Sequence, residues 1–371
     1  MKKNQTALLV VTLLVFSLQA ATVLQLCESF PFLKSSPEAV MTLGVGSLVA
    51  LFALSFYIFH RMGYHLSILG AFFTAVLWSA TIDSFLAAAL VGWTDLGKFY
   101  YDHGEEYFKT SWGFAALLWD GTFHYGLQFY IAYSVYTQGK PHAIASLVWA
   151  GSITNSMPVL LIGAATGSFS ETIKPATALN APYVLVPIMI AKLVLTDEGH
   201  QASQTNKKEI ETTSFSIGSL FWINFHVVAI TLHIWRAIVV LECNAPAAQQ
   251  WRQDVEILSS DDDGSISFGF LRIQLLQYLF YYVPFHVYCL WKVTPDRTMS
   301  LWATFVAGGY LQGQSTFLVG AAFDWVGFGP LVSIAQSNMF WVLNVGLLIM
   351  PVIFAVWCWR SVGSYHALTN R

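Results

Sequence analysis

The sequence predicts an all-α, polytopic membrane protein of about ten transmembrane helices. Three observations predict it. Only 11% of the residues are charged, against roughly 25% in a soluble domain, while 56% are apolar and 16% aromatic. Apolar runs of about 20 residues, long enough to cross a bilayer as helix, recur along the whole chain. The polar stretches between them, of which 92–111, 196–213 and 242–267 are the longest, leave no room for a soluble domain. A net charge of −3 gives no reason to expect nucleic acid as a partner.

The first run follows Lys2 and Lys3 and ends in a small-residue stretch, QAAT. That pattern fits a cleaved signal peptide and equally an uncleaved first span over 6–26. We take the uncleaved span, for a reason given with the family resemblance below. The sequon Asn4-Gln5-Thr6 precedes it and is expected to be unused. Further spans are expected at 39–59, 65–92, 112–135, 142–163, 176–196, 214–241, 268–291, 298–320 and 336–359.

The run 112–135, WGFAALLWDGTFHYGLQFYIAYSV, organises the rest. It carries Asp120 and His124 at bilayer depth, where a carboxylate costs ~2.5–3.5 kcal/mol on insertion scales. Four residues apart on a helix, the two side chains project side by side. Trp119, Tyr125 and Gln128 add hydrogen-bonding groups nearby. This face therefore points into a bundle or cavity rather than into lipid. Asp83, in the preceding span, adds a second buried carboxylate. Two acids in a low-dielectric site suit the binding of an amine or the sharing of a proton.

Lys and Arg counts in alternate loops orient the chain. With the amino terminus cytosolic, eleven of these residues fall on the cytosolic side and six opposite, so both termini are expected to be cytosolic. The acidic run Asp261-Asp262-Asp263 reads as a solvated loop, with a cation site as the weaker alternative. Four cysteines lack metal-ligand spacing. Cys27 and Cys243 would lie near one membrane face, which allows a disulfide, but buried free thiols are the reading adopted.

An internal repeat refines the architecture. Ala150-Gly151 precedes Gly163-Ala164-Ala165 by the separation that links Ala307-Gly308 to Gly320-Ala321-Ala322. Asn180 stands seven residues before Pro187, and Asn344 seven before Pro351. The organisation expected is two amino-terminal helices (1–62), a four-helix unit (63–196), a cytosolic linker (197–213), a second four-helix unit (214–360) and a cytosolic tail (361–371). Small residues at these spacings suit close helix contact in a membrane.

In the second unit the depth of Asp83 is taken by His233, followed by Arg236, and that of Asp120 by Gln277, with Gln274 one turn before. A ligand-facing role is assigned to Asp83, Asp120 and His124. For Gln274, Gln277 and Arg236, interhelical packing weighs equally. Asn180 and Asn344 are read first as supports for proline kinks, with a pocket role beside it. Trp78, Trp119 and Trp341 could line a flat apolar pocket. No GxSxG, HExxH, Walker loop or CxxC is present, so neither nucleotide-driven chemistry nor a cofactor or metal is expected.

The stretches GEEYFKTSWGFAALLWDGTFHY (104–125), ETIKPATALNAPYVLVP (171–187) and RIQLLQYLFYYVPF (272–285), with VVLEC (239–243), resemble the transmembrane 6 superfamily, whose members carry two EXPERA domains. The likeness runs collinearly from about residue 63 to 358. The first two spans match in position and hydrophobicity, which is why the first is taken as retained. The wider group includes the emopamil-binding sterol isomerase and the sigma-2 receptor, and so implies four-helix units with a sterol- or amine-accepting cavity. The isomerase pattern of a His, a Glu four residues on and a Glu on the next span falls here on Asp83, Ala87 and Asp120, and on His233, Ala237 and Gln277 or Gln274. Neither set is complete, so binding without catalysis is expected.

The resemblance implies a regulator of lipid homeostasis, handling sterol, triglyceride or lipoprotein lipid in the endoplasmic reticulum membrane or a later endomembrane such as the ER–Golgi intermediate compartment. Expected partners are membrane lipids and lipid-synthesis or lipoprotein-assembly proteins. The alternatives are a sterol isomerase-type enzyme, a lipid transporter or scramblase, and an assembly scaffold. The candidate lipid-binding residues are Asp83, Trp119, Asp120, His124, Asn180, His233, Gln274, Gln277 and Asn344.

Overall fold

The computed structural model describes residues 3–65, 67–167, 169–205, 217–241, 243–255, 268–322 and 338–362. The acidic run at 261–263, Lys207 and Lys208, and the tail from 363 lie outside the described residues. Among the described residues all regular structure is helical, and seven helices are long and apolar enough to cross a membrane. This is a polytopic all-α membrane protein.

Where it is described, each predicted run is mainly helical. The first three become α1 (Lys3–Ser29), α2 (Pro37–Arg61) and α3 (Ile68–Leu90). On α1 the buried residues Leu9, Leu13, Phe16, Ala20, Leu24 and Cys27 recur every three or four positions, and this stripe packs along α3. Its other faces expose Leu8, Val11, Val15 and Leu18, as a lipid-facing helix does. Ser36 and Ser67 cap α2 and α3 by accepting from Ala39 N and from Leu69 N and Gly70 N.

The connection from α3 holds α4 (Phe99–His103) and a 3-10 turn, Glu106–Lys109. The expected span 112–135 is a composite: α5 (Ser111–Trp119), a π turn over Asp120–His124, and α6 (Tyr125–Gln138). Gly139, with φ of +75°, closes α6 in the left-handed conformation that a glycine adopts without strain. Then come α7 (Ala143–Thr166), a 3-10 segment Pro175–Asn180 and α8 (Ala181–Thr205).

The later chain runs through α9 (Ile217–Val240) and α10 (Pro246–Asp254) to a second composite. It comprises α11 (Phe268–Gln277), a π turn over Tyr278–Tyr282 and α12 (Val283–Lys292). The chain continues into α13 (Arg297–Ala322), capped by Asp296 on Met299 N, and α14 (Asn338–Ser361). The composites and α13 are absent from the seven spanning helices. The former are interrupted by π turns, and α13 is diluted by Gly, Gln, Ser and Thr.

The described residues divide into two compact units. The first runs to Trp149 and includes Phe169–Pro182; the second holds Ala150–Ser168, Tyr183–Ala322 and α14. In the first, α3 is central, packed by α1, α2, α5, α6 and the π turn. In the second, α13 and α14 pack along their length and α9 lies against α11 and α12. There α7 meets α13 backbone to backbone at Gly151 and Phe305, the close approach expected of its small residues. Cys27, Cys289 and Cys358 are buried free thiols, as expected, and Cys243 is half-buried.

Candidate functional site

Asp83 lies seven residues before the end of α3, and Asp120 nine after the start of α5. At 1.5 Å per residue, both sit ~10–14 Å inside the helix ends that the 91–110 connection joins. They share a depth because Ser84 Oγ donates to the Gly121 carbonyl at 2.7 Å, holding α3 against the π turn. A π turn inserts one residue into the helical ladder, and such insertions recur at functional sites.

Within that turn His124 is 1% exposed, and its Nδ1–H donates to Asp120 Oδ1 at 2.6 Å. The indole N–H of Trp119 donates to His124 Nε2 at 3.2 Å. These two bonds fix the neutral tautomer with the proton on Nδ1 and aim the Asp120 carboxylate. Asp120 keeps a side-chain exposure of 29%. Trp119 is half-buried and packs on Phe123, with ring centroids 4.3 Å apart.

Asp83 is half-buried and has no hydrogen-bond partner among the described residues. The charges of Asp120 and Glu105 both act on it. Glu105 was not singled out by the sequence reading, because it sits in a polar connection that looks solvated. The structure buries it to 4% exposure. Tyr100 OH donates to Oε2 at 2.7 Å, and Tyr107 OH and Asn180 Nδ2 donate to Oε1, the latter at 2.7 Å. Burial pushes its carboxyl above the ordinary carboxylate value, opposed by the bonds from Tyr107, Tyr100 and Asn180.

Of the nine predicted residues, the structure therefore gathers Asp83, Trp119, Asp120 and His124. Asn180 joins through Glu105. It ends a 3-10 segment and does not serve Pro187. A groove of about 460 Å³ runs between α1, α2 and α3 in the same unit, lined by Val15, Phe16, Gln19, Leu51, Leu54 and Trp78 among others. The acids do not line it.

The second unit's predicted residues separate into three bonded networks. His233 Nε2 contacts Tyr310 OH at 2.5 Å. Gln274 exchanges two bonds with Asn155, each 3.2 Å, and Gln277 Nε2 donates to the Thr154 carbonyl at 3.3 Å. Asn344 accepts from Arg236 at 3.2 Å and donates to Phe340 O at 2.8 Å, so it does not fill the gap left by Pro351. Arg236 also stacks over Phe317 at 5.3 Å. His233, Gln274 and Asn344 are at most 1% exposed. The partners observed for them are other protein groups. Among the described residues no group of three His, Cys, Asp or Glu side chains is placed to hold a metal.

A family profile described as "Transmembrane 6 superfamily member 2-like, transmembrane domain" matches residues 19–205, half of the chain. That interval contains Asp83, Glu105, Asp120, His124 and Asn180. "Transmembrane 6 superfamily member 2" of Homo sapiens is 26% identical over 306 residues, covering 80% of this chain and 79% of the relative. The protein of the same name from Rattus norvegicus is 28% identical over 251 residues, covering 66% and 65%. The Mus musculus protein is 26% identical over 308 residues, covering 80% and 79%. No solved structure matches the chain.

Proposed function

We propose, on the premise that this chain belongs to the transmembrane 6 superfamily, that it is a non-catalytic, multi-pass regulator of lipid homeostasis that grips the polar head of a sterol-like or acyl lipid at Asp83 and Asp120. The observation that carries this reading is the Asp83 carboxylate. It sits within a span, half-buried, with no hydrogen-bond partner among the described residues, beside a second carboxylate whose orientation is fixed. A side chain of this kind is expensive at that depth unless a polar group meets it. A hydroxyl or amine head group supplies the missing donor, while the Trp119–Phe123 pair offers an apolar wall for the ring or chain beyond.

A catalytic role finds less support. The Nε2 lone pair of His124 is taken by the Trp119 N–H, so this imidazole has no free base to offer a substrate. The hydroxyl within the turn, Thr122 Oγ1, donates to Leu118 O at 2.5 Å, and Ser84 Oγ beside it is committed to Gly121 O and Ala80 O.

In the arrangement we favour, ten spans form two tandem EXPERA-like units, 63–196 and 214–360, behind two leading helices. Both termini are cytosolic in the endoplasmic reticulum membrane. The π turns support the duplication. They begin at Asp120 and Tyr278, within one position of the 157-residue offset between Gly151 and Gly308. His233, Gln274, Gln277 and Asn344 of 214–360 then bond to protein groups rather than to a guest.

The test is photo-crosslinking of sterol and fatty-acid probes in native membranes. Wild-type protein should be labelled, and Asp83→Asn and Asp120→Asn should each lower labelling several-fold at equal expression. Unchanged labelling in both variants removes the grip. Double-bond migration in labelled sterol incubated with purified protein would instead establish the enzyme.

A further inference from the structure

Four buried side chains of the second unit form one unbroken chain of hydrogen bonds. His226 Nδ1 contacts His286 Nδ1 at 2.8 Å; His286 Nε2 contacts Tyr310 OH at 2.8 Å; the same hydroxyl contacts His233 Nε2 at 2.5 Å. The residues come from α9, α12 and α13, and none is more than 2% exposed. Both outer nitrogens, His226 Nε2 and His233 Nδ1, are buried without a hydrogen-bond partner among the described residues. His226 and His233 are seven residues apart on α9, so the two ends differ by ~10 Å in depth.

Proton counting leaves this chain two neutral states. In one, His226 Nδ1–H donates to His286 Nδ1, His286 Nε2–H donates to Tyr310, and Tyr310 O–H donates to His233 Nε2. The free ends are then a lone pair on His226 Nε2 and an N–H on His233 Nδ1. In the other state every bond is reversed, and the free ends exchange roles. Each imidazole and the phenol can both donate and accept, which is what a reversal requires. A purely structural network has no need of two equivalent states or of an unmet polar atom at each end.

We propose that His226, His286, Tyr310 and His233 form a proton relay inside the second unit, in which a proton taken up at one outer nitrogen is matched by one released at the other. A proton bound at His226 Nε2 displaces the Nδ1 proton to His286 Nδ1. The Nε2 proton of His286 passes to Tyr310 oxygen, whose own proton moves to His233 Nε2, and His233 Nδ1 releases one. One proton enters, one leaves, and the chain is neutral again with reversed polarity. A second passage in the same direction would need the rings to turn over. Tyr278 beside His233, Tyr282 stacked on Tyr310 at 4.2 Å, and Phe225, Phe285 and Phe354 around the His226–His286 pair oppose that. The device therefore passes a proton back and forth and is not a conducting channel. Arg236, three residues from His233 on α9, places a positive charge that acts on His233. It favours concerted passage over a resting imidazolium.

The relay is tested by ¹⁵N NMR of histidine-labelled full-length protein in lipid nanodiscs. Wild-type His286 and His233 should show nitrogen shifts averaged between the two neutral tautomers, with exchange slowed in D₂O. Tyr310→Phe, which removes only the hydroxyl, should abolish the averaging and leave each ring in one tautomer. Tyr282→Phe, whose hydroxyl donates to Asn155 outside the chain, should leave the averaging intact. Fixed tautomers in the wild-type protein, or equal loss in both variants, overturn the relay.

Discussion

Ser84 and Gly121 bring α3 and the first π turn together at backbone distance. Ser84 Oγ donates to the Gly121 carbonyl at 2.7 Å, and a β-carbon on Gly121 would lie 2.6 Å from the Ser84 nitrogen. Nothing larger than hydrogen fits there without moving one of the two backbones. Gly121→Ala should cost ~1–3 kcal/mol, the usual range for overpacking a tight contact. Ser84→Ala, which loses one interhelical bond, should cost about 1 kcal/mol or less. Thermal unfolding of the purified protein in nanodiscs measures both. Equal stability of Gly121→Ala and wild type would mean that the turn is not held by this contact.

The Trp119–His124–Asp120 line makes a graded prediction for lipid capture. Asp120→Asn removes the charge itself and should have the largest effect. His124→Ala removes the 2.6 Å bond that orients the carboxylate, and a bond to a charged group contributes ~1.5–3 kcal/mol. Trp119→Phe keeps an aromatic ring beside Phe123 but frees the His124 tautomer, so its effect should be the smallest of the three. Crosslinking yields with a sterol probe give the ranking. A loss from Trp119→Phe larger than that from Asp120→Asn would show that the indole contacts the lipid directly.

Glu105 separates the charge of a carboxylate from its shape. Glu105→Gln keeps an acceptor for Tyr107 and Asn180, and the Tyr100 hydroxyl can turn to accept from the new amide. This variant should unfold within about 1 kcal/mol of wild type. Glu105→Ala strands all three donors and should lose ~3 kcal/mol or more at about 1–3 kcal/mol per buried unmet group. The pH dependence follows from the raised carboxyl of Glu105. Between its ordinary value of 4.5 and the higher folded value, the folded state binds more protons than the unfolded state. Stability therefore falls as pH rises through that window and is recovered on acidification toward 4.5. Glu105→Gln should flatten this slope in unfolding measured from pH 4.5 to 8, and an unaltered slope would assign it elsewhere.

The contrast between Asp120 and Glu105 shows what could be read from sequence. The pairing of Asp120 with His124 follows from spacing on a helix, and the apolar runs around them are long enough to declare the spans. Glu105 stands among Gly104, Glu106 and Lys109, where composition argues for solvent. Its burial depends on Tyr100, Tyr107 and Asn180 folding over it, and Asn180 is 75 residues away. The π turns carry no compositional mark either: DGTFH and YLFYY share no residue at any matched position. Polarity was visible at His233, Gln274 and Asn344, but not whether each met a guest or a neighbour. That depends on Tyr310, Asn155 and Arg236, each of which approaches from another helix. His226 and His286 drew no notice because a lone histidine in an apolar run has no visible partner.

Asn155 bonds three buried side chains, Gln274 of α11, Tyr282 of the second π turn and Gln312 of α13. Its Oδ1 accepts from Tyr282 OH at 2.7 Å and Gln274 Nε2 at 3.2 Å, while its Nδ2 donates to Gln312 Oε1 at 2.6 Å and Gln274 Oε1 at 3.2 Å. All four residues are buried, so groups left behind by a substitution have no water to turn to. Asn155→Leu should cost ~3–4 kcal/mol at about 1 kcal/mol per interhelical bond. Gln274→Leu alone should cost ~2 kcal/mol, since it breaks two of the same four bonds. The double variant should be more stable than the sum of the singles predicts. The Asn155–Gln274 bonds are counted once rather than twice, giving a coupling of ~1–2 kcal/mol. Unfolding of the four proteins in one lipid background measures that coupling. A value near zero would mean that the two amides do not bond in the membrane, and the packed reading of the second unit would then lose its central contact.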